Sequence, residues 1–134
     1  MGLVSPAGVV LDRRELSGPA LRTFFRIASQ WQLSPDEQMA LLGLTARSTF
    51  FAWKKNQDVA LPKDTLERIS YILGIWKALQ ILLPNEASAD AWIRKPNDAP
   101  LFGGSSALAR MLSGQVADLF VVRQYLDAQR GGLA

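Results

Sequence analysis

Residues Ser34–Lys55 read SPDEQMALLGLTARSTFFAWKK, and the punctuation in this stretch decides the fold. Ser34 is followed by Pro35 at a first helical position and by Glu37 three residues on, the pattern of a capping box, and Gly43 is a helix stop. Thr45 is a good N-cap residue for a second helix in which Ala46, Phe50 and Trp53 share one stripe at i, i+4 and i+7. Two short helices joined at a glycine fit a helix-turn-helix and fit, equally well, a helical hairpin with a solvated basic end. With the Ala46/Phe50/Trp53 stripe facing inward, the helical wheel turns Arg47, Ser48, Phe51, Ala52, Lys54 and Lys55 toward solvent or a groove. An Arg and a Ser in the first turn stand where base edges are read, and Lys54 and Lys55 at the far end suit phosphates. Together with Thr45 at the start of the helix, Arg47, Ser48, Phe51, Lys54 and Lys55 are the candidate DNA-binding residues. An exposed Phe51 among basic side chains favours a docked face over a plain hairpin.

The flanking segments are helical as well. Ser17–Gln32 places Leu21, Phe24, Phe25, Ala28 and Trp31 at helical spacing, with Ser17 as a candidate cap and Pro19 in the first turn. After the loop NQDVALP, Pro62 opens a long helix predicted from Lys63 to Leu83, where Pro84-Asn85 stops it. Its second half is apolar nearly all round, which predicts a spine shared by two subdomains, a subunit interface, or both. Ile72, Ile75, Trp76, Leu79 and Leu82 are the candidate dimer-interface residues. A short helix around Ala87–Arg94, one from Ser105 or Ser106 to Leu112 and a last one from about Val116 to Gln129 complete the pattern, with Gly131-Gly132 freeing the final residues. No strand alternation is visible, so the predicted class is all-α.

Composition narrows the chemistry. The 134-residue chain has 49% apolar and 20% charged residues, an ordinary globular balance. It holds 0 Cys and 0 His, which removes disulfides, thiolate ligands, Ser-His and Cys-His nucleophile pairs and the usual zinc sets. An enzyme of this composition would depend on carboxylate, Lys or Tyr chemistry, and no such cluster converges in the sequence. No metal site and no cofactor are assigned. The net charge of +3 lies entirely within residues 1–55, while residues 56–134 are balanced, as for a nucleic-acid face joined to a region with another partner. No secretion signal or membrane span is read, since the apolar run from Ile69 to Leu83 contains Lys77 and Gln80 and is shorter than the ~20 residues a bilayer requires. A cytoplasmic location is expected.

Other motifs have plain structural readings. LFGGSS, Leu101–Ser106, is read as a Gly turn followed by a Ser N-cap rather than a phosphate cradle, because no Lys follows in the helix. Asp36/Glu37 and Asp64/Glu67 sit in first helical turns, where they complement the macrodipole. Tyr71 and Tyr125 fall on apolar faces and are read as core residues with a hydroxyl at the edge.

The order of LGLTARSTFFAWKK, ALPKDTLERISYILGIWKAL, AWIRKPNDAPLFGGSSALARML and GQVADLFVVRQYLDAQRGG resembles the Xre/MbcA/ParS antitoxin family over about residues 33–132. Its most specific part is W-x-x-x-P-N followed by F-G-G, here Trp92, Pro96, Asn97, Phe102, Gly103 and Gly104, with V-x-x-Y-L at Val122, Tyr125 and Leu126 in support. The resemblance implies a type II antitoxin that binds and neutralises a RES-domain toxin, an NAD-consuming or ADP-ribosylating enzyme. It also implies an N-terminal domain that dimerises and binds the operator of its own operon. Trp92, Pro96, Asn97, Phe102, Gly103 and Gly104 then belong to the toxin-binding domain, with Trp92 either touching the toxin or holding the loop from inside. Related antitoxins place their C-terminal end over the toxin's active-site cleft, which makes Arg130, Gly131, Gly132, Leu133 and Ala134 candidates for occlusion. The lack of a terminal aromatic argues against a deep plug.

The resulting expectation is a non-enzymatic all-α protein. It comprises an extension over 1–16, an Xre-like helix-turn-helix domain with its long connecting helix over 17–83, and a small helical toxin-binding domain over 84–134. Its expected partners are a RES-domain toxin, operator DNA and further copies of itself as a homodimer or higher oligomer, with no membrane. The alternative is a stand-alone helix-turn-helix regulator without a toxin.

Overall fold

The computed structural model describes residues 3–4, 10–11 and 13–132. Two strands, β1 (Leu3–Val4) and β2 (Val10–Leu11), pair antiparallel with Leu3 opposite Leu11 and Val4 opposite Val10. These aliphatic dipeptides are too short to display alternation, so the sequence pattern does not reveal them. Among the described residues, every other named element is helical.

Helix α1 (Arg13–Gln30) begins one turn before the candidate cap at Ser17. Ser17 is fully buried, its hydroxyl donating to the Arg13 carbonyl and accepting from the Leu61 N–H at 2.8 Å. The side chain that resembles a cap therefore ties the loop before the long helix to α1. Helix α2 (Pro35–Leu42) has the expected box: Ser34 Oγ accepts from Glu37 N–H at 3.1 Å, and Glu37 Oε1 accepts from Ser34 N–H at 2.8 Å. Gly43 ends it at φ 72°, the left-handed conformation glycine adopts without a Cβ clash. Helix α3 (Arg47–Lys55) is capped by Ala46, with no side-chain cap bond, in place of Thr45. Phe50 is buried and Trp53 half-buried as expected, but Ala46 is exposed at the helix end and leaves the inward stripe.

Helix α4 (Lys63–Leu82) is the spine, with α1 packed along one side and α7 (Val116–Gly132) along another. Between them lie α5 (Glu86–Ala91), a single 3-10 turn at Trp92–Arg94, and α6 (Ala107–Met111). Helix α7 continues through Gly131 and Gly132, so the two glycines extend the last helix beyond Gln129. On α4, Ile72, Ile75 and Leu79 are at most 1% exposed within the single chain. Their own chain already covers these three candidate dimer-interface side chains, with α1 and α7 packed along α4. Trp76 is half-buried against α1, its Nε1–H donating to Gln30 Oε1 at 2.7 Å, and Leu82 is half-buried as well. The apolar side chains that α4 leaves exposed are Leu73 and Ile81.

Arg68, another α4 residue, is buried across the same spine. Its Nε donates to Asp64 Oδ2 at 2.9 Å and its Nη2 to the Gly114 carbonyl at 2.9 Å, and its guanidinium lies against Gly43. One side chain thus connects the turn of the helix-turn-helix to the α6–α7 turn. A Cβ at Gly43 would stand 2.7 Å from Arg68 Cζ in addition to straining the left-handed backbone. Gly43→Ala is expected to cost about 2–3 kcal/mol in denaturant unfolding, of which roughly 1–2 is backbone strain. Combined with Arg68→Met, the loss should fall short of the sum of the two single losses; strict additivity would show that the two residues do not press on one another.

Candidate functional site

Two faces carry the candidate residues. On α3 the aromatic side chains form a ladder from core to surface. Phe24 and Phe25 meet edge-to-face at 5.6 Å, Phe25 and Phe50 at 6.0 Å, and Phe50 and Phe51 at 5.1 Å. Phe51 is thereby held at the surface while staying 44% exposed. Arg47, Ser48, Lys54 and Lys55 are likewise exposed on α3, and Thr45 is exposed in the turn before it. Arg47 Nη1 donates to Asp36 Oδ1 at 2.5 Å, and its guanidinium carbon lies 5.5 Å from the centroid of the Phe51 ring. Lys54 Nζ is 6.0 Å from the Phe50 ring centroid, and Gln57 Nε2 donates to the Trp53 and Lys54 carbonyls at the end of α3. The result is a basic surface on a short helix that follows a tight turn, with its first-turn Arg already oriented.

The second face lies in the C-terminal half. Trp92, Phe102 and Tyr125 form another edge-to-face series, at 5.9 Å and 5.3 Å. Phe102 is buried and Trp92 half-buried, so both hold the loop from inside. Pro96 bridges to Ser106, and Asn97 closes the loop in three ways. Its N–H donates to the Ser105 carbonyl at 3.0 Å, its carbonyl accepts from Gly104 N–H at 2.9 Å, and its Oδ1 accepts from Ala99 N–H at 2.9 Å. Gly103 and Gly104, at φ 57° and 89°, are exposed and supply the left-handed turns that the closure requires. Ser106 caps α6, accepting from Ala109 N–H at 3.1 Å, as the Gly-turn reading of LFGGSS expects. Arg110 fastens the loop to the next helix through the Leu101 carbonyl at 2.8 Å and Asp118 at 2.9 Å. A hydrogen bond from the Ser113 hydroxyl, together with Arg110, holds the Asp118 carboxyl below its ordinary range.

Arg130 and Gly131 are exposed at the end of α7, where they line an open groove of about 740 Å³ with Ile81, Leu82, Arg123 and Asp127. None of the residues lining that groove comes from the 96–104 loop. Leu133 and Ala134 lie outside the described residues.

Two contributors went unread in the sequence. Asp36 registers there only as a helix-dipole residue. Arg94 sits inside the W-x-x-x-P-N motif without an evident role, yet its Nη2 donates to the carbonyls of Trp31 at 3.1 Å and Gln32 at 2.9 Å and to Glu37 Oε1 at 3.3 Å. It therefore caps the C-terminal end of α1 and grips the capping box of α2. Burial pushes the Glu37 carboxyl up, but bonds from Ser34 and Arg94 outweigh it and hold the group below its ordinary range.

The fold defines a helix-turn-helix protein with a second, all-helical domain packed on it. Residues 10–74 match the antitoxin Xre-like helix-turn-helix domain, and residues 78–132 match the antitoxin Xre/MbcA/ParS C-terminal toxin-binding domain. The uncharacterized protein y4oB of Sinorhizobium fredii is 61% identical over 112 residues, which is 84% of this chain and 84% of that protein. The chain belongs to the Xre/MbcA/ParS-type antitoxin family, and its two domains are those of an antitoxin of a toxin-antitoxin system.

Because Glu37 prefers its charged form in the fold, the stability it contributes is present above its unfolded value and is lost as pH falls through the lower folded value. Arg94→Met is expected to lose about 1–2 kcal/mol near neutral pH, allowing for the half-exposed guanidinium. Denaturant titrations at neutral and at acidic pH should show the gap from wild type narrowing in acid, whereas a gap independent of pH would remove Glu37 from the clamp.

Proposed function

We propose that this antitoxin neutralises a RES-domain toxin, an NAD-consuming or ADP-ribosylating enzyme, by occluding its active site, and that it represses its own operon by binding operator DNA. The DNA half rests on one observation above others: Arg47, Ser48, Phe51, Lys54 and Lys55 are exposed on α3, with Thr45 exposed in the turn before it, and a major groove accepts such a helix. Arg47 and Ser48 meet base edges, Phe51 meets an apolar base surface, and Lys54 and Lys55 meet phosphates. The toxin half is supported by the C-terminal domain match and by the exposed end of α7, where Arg130 and Gly131 flank the groove with Ile81.

The RES identity of the toxin rests on the family resemblance. Pro96, Asn97, Gly103 and Gly104 present the rim of the loop to the toxin, Trp92 and Phe102 support it from inside, and the stretch Arg130–Ala134 covers the cleft. Burial of surface does the work, with no bond made or broken by the antitoxin, no cofactor and no metal. A palindromic operator would take a homodimer, whose contact lies elsewhere than Ile72, Ile75 and Leu79. Such a chain acts in the cytoplasm.

Co-purification with the product of the neighbouring open reading frame, and the NAD consumption of that product with and without this chain, test the toxin half. Continued NAD loss in a formed complex would sink occlusion. Arg47→Ala with Lys54→Ala is expected to weaken binding to the upstream duplex by about 10- to 100-fold, as for one base contact and one phosphate contact, while neutralisation is unchanged. Deleting Arg130–Ala134 should do the reverse, and a truncated chain that still silences the enzyme would take the tail out of the mechanism.

A further inference from the structure

Asp36 sets a puzzle for the face assigned to DNA. It stands in the first turn of α2 with its side chain 82% exposed, beside residues that would meet a polyanion. A carboxylate there repels phosphate. Favourable interaction with the helix dipole is worth only ~0.3–1 kcal/mol, and Glu37 already supplies that charge within the capping box.

The geometry around Arg47 resolves the puzzle. Asp36 Oδ1 takes one N–H of Arg47 Nη1 at 2.5 Å, and the Phe51 ring lies under the guanidinium at 5.5 Å. Phe51 is itself fixed through Phe50 and Phe25 to the core, so both supports of the guanidinium are anchored in secondary structure. Among the described residues, Arg47 Nε and Nη2 make no other hydrogen bond, which leaves a planar pair of donors of the kind that guanine O6 and N7 accept. A free Arg is a mobile cation that settles on whichever phosphate is near. Once paired with Asp36, Arg47 has little net charge to offer a phosphate but keeps its directional donors.

We propose that Asp36 is the positioning residue that gives the DNA face its sequence selectivity, holding Arg47 for a guanine edge and withholding it from the backbone. The inference rests on the reading of α3 as the DNA-contacting helix. It implies an unusual sign, since removing Asp36 should leave general DNA affinity intact or improved while recognition is lost.

The test is selection from a random duplex pool by the full-length wild-type chain, followed by titration of the selected duplex and a scrambled one against wild type, Asp36→Asn and Asp36→Glu. Circular dichroism melts confirm that each variant is folded. For Asp36→Asn the ratio of selected to scrambled affinity is expected to fall about 10-fold, the scale of one bidentate base contact, with the scrambled duplex bound as well or better. The slope of log affinity against log salt should steepen by about 0.9 as Arg47 takes up a phosphate. Asp36→Glu, which keeps the charge, should retain most of the ratio. An unchanged ratio in Asp36→Asn, or an equal loss on both duplexes, overturns the role of Asp36. A wild-type chain that binds no duplex overturns the DNA reading itself, and this inference with it.

Discussion

The second half of helix α4 carries apolar side chains around most of its circumference, and such a helix is stable in water only when neighbours cover it on more than one side. Helix α1 provides one cover and α7 the other, the first from the helix-turn-helix half and the second from the toxin-binding half. The two family matches end at residue 74 and begin at residue 78, both within α4. The passage from one domain to the next is thus a continuous run of helix whose sides are buried by both. Two domains that share a core in this way have no linker about which to swing.

Three arginines reinforce the junction, each through a backbone carbonyl of the opposite half or of the facing helix. Arg68 reaches from beneath Gly43 to the Gly114 carbonyl, Arg94 reaches from the 3-10 turn to the carbonyls that end α1, and Arg123 crosses α4 to the Ser70 carbonyl at 3.3 Å. Crossing so close depends on Gly74, where a Cβ would lie 2.5 Å from Arg123 Nε. The Trp31, Gln32 and Gly114 carbonyls stand at helix ends and turns, where intrahelical partners are lacking, and the planar guanidinium of Arg94 satisfies two of them at once, while Arg123 adds a bond to a carbonyl inside α4. Desolvating a charge for this purpose gains little net stability, but it fixes orientation, because each guanidinium finds its acceptors in only one arrangement of the helices.

What could be read from the sequence follows how local each signal is. The Ser34/Glu37 box, the Gly43 stop and the Ser106 cap involve partners within three or four residues, and the structure has them all. Phe50 as the buried residue of α3 was likewise visible as a period. The start of α1 was not, because Ser17-Gly18-Pro19 has the composition of a helix entrance while Ser17 is bonded to Leu61, 44 residues away. For Ile72, Ile75 and Leu79, periodicity announces that a face is covered without saying by which chain, and α1 and α7 prove to be the cover. Arg94 had no signal at all, since its acceptors are main-chain oxygens 62 and 63 residues away and carbonyls have no sequence identity. The exposed residues of α3 followed from the wheel, whereas the Asp36–Arg47 pair joins two helices and required their packing.

A single shared core also constrains how the two partners affect one another. A ligand that binds only the folded chain stabilises the entire cooperative unit by RT ln(1 + [L]/Kd), about 2.7 kcal/mol at a hundredfold excess over Kd. In a protein with two independently folding domains, that gain would stay in the half that binds. Here the Arg94 clamp and the common helix α4 make unfolding of one half expose the core of the other, so any ligand that held one half folded would protect the other half as well. Such mutual protection requires no change of shape and no dedicated pathway between the faces. It follows from the way α4 is covered by a helix from each half.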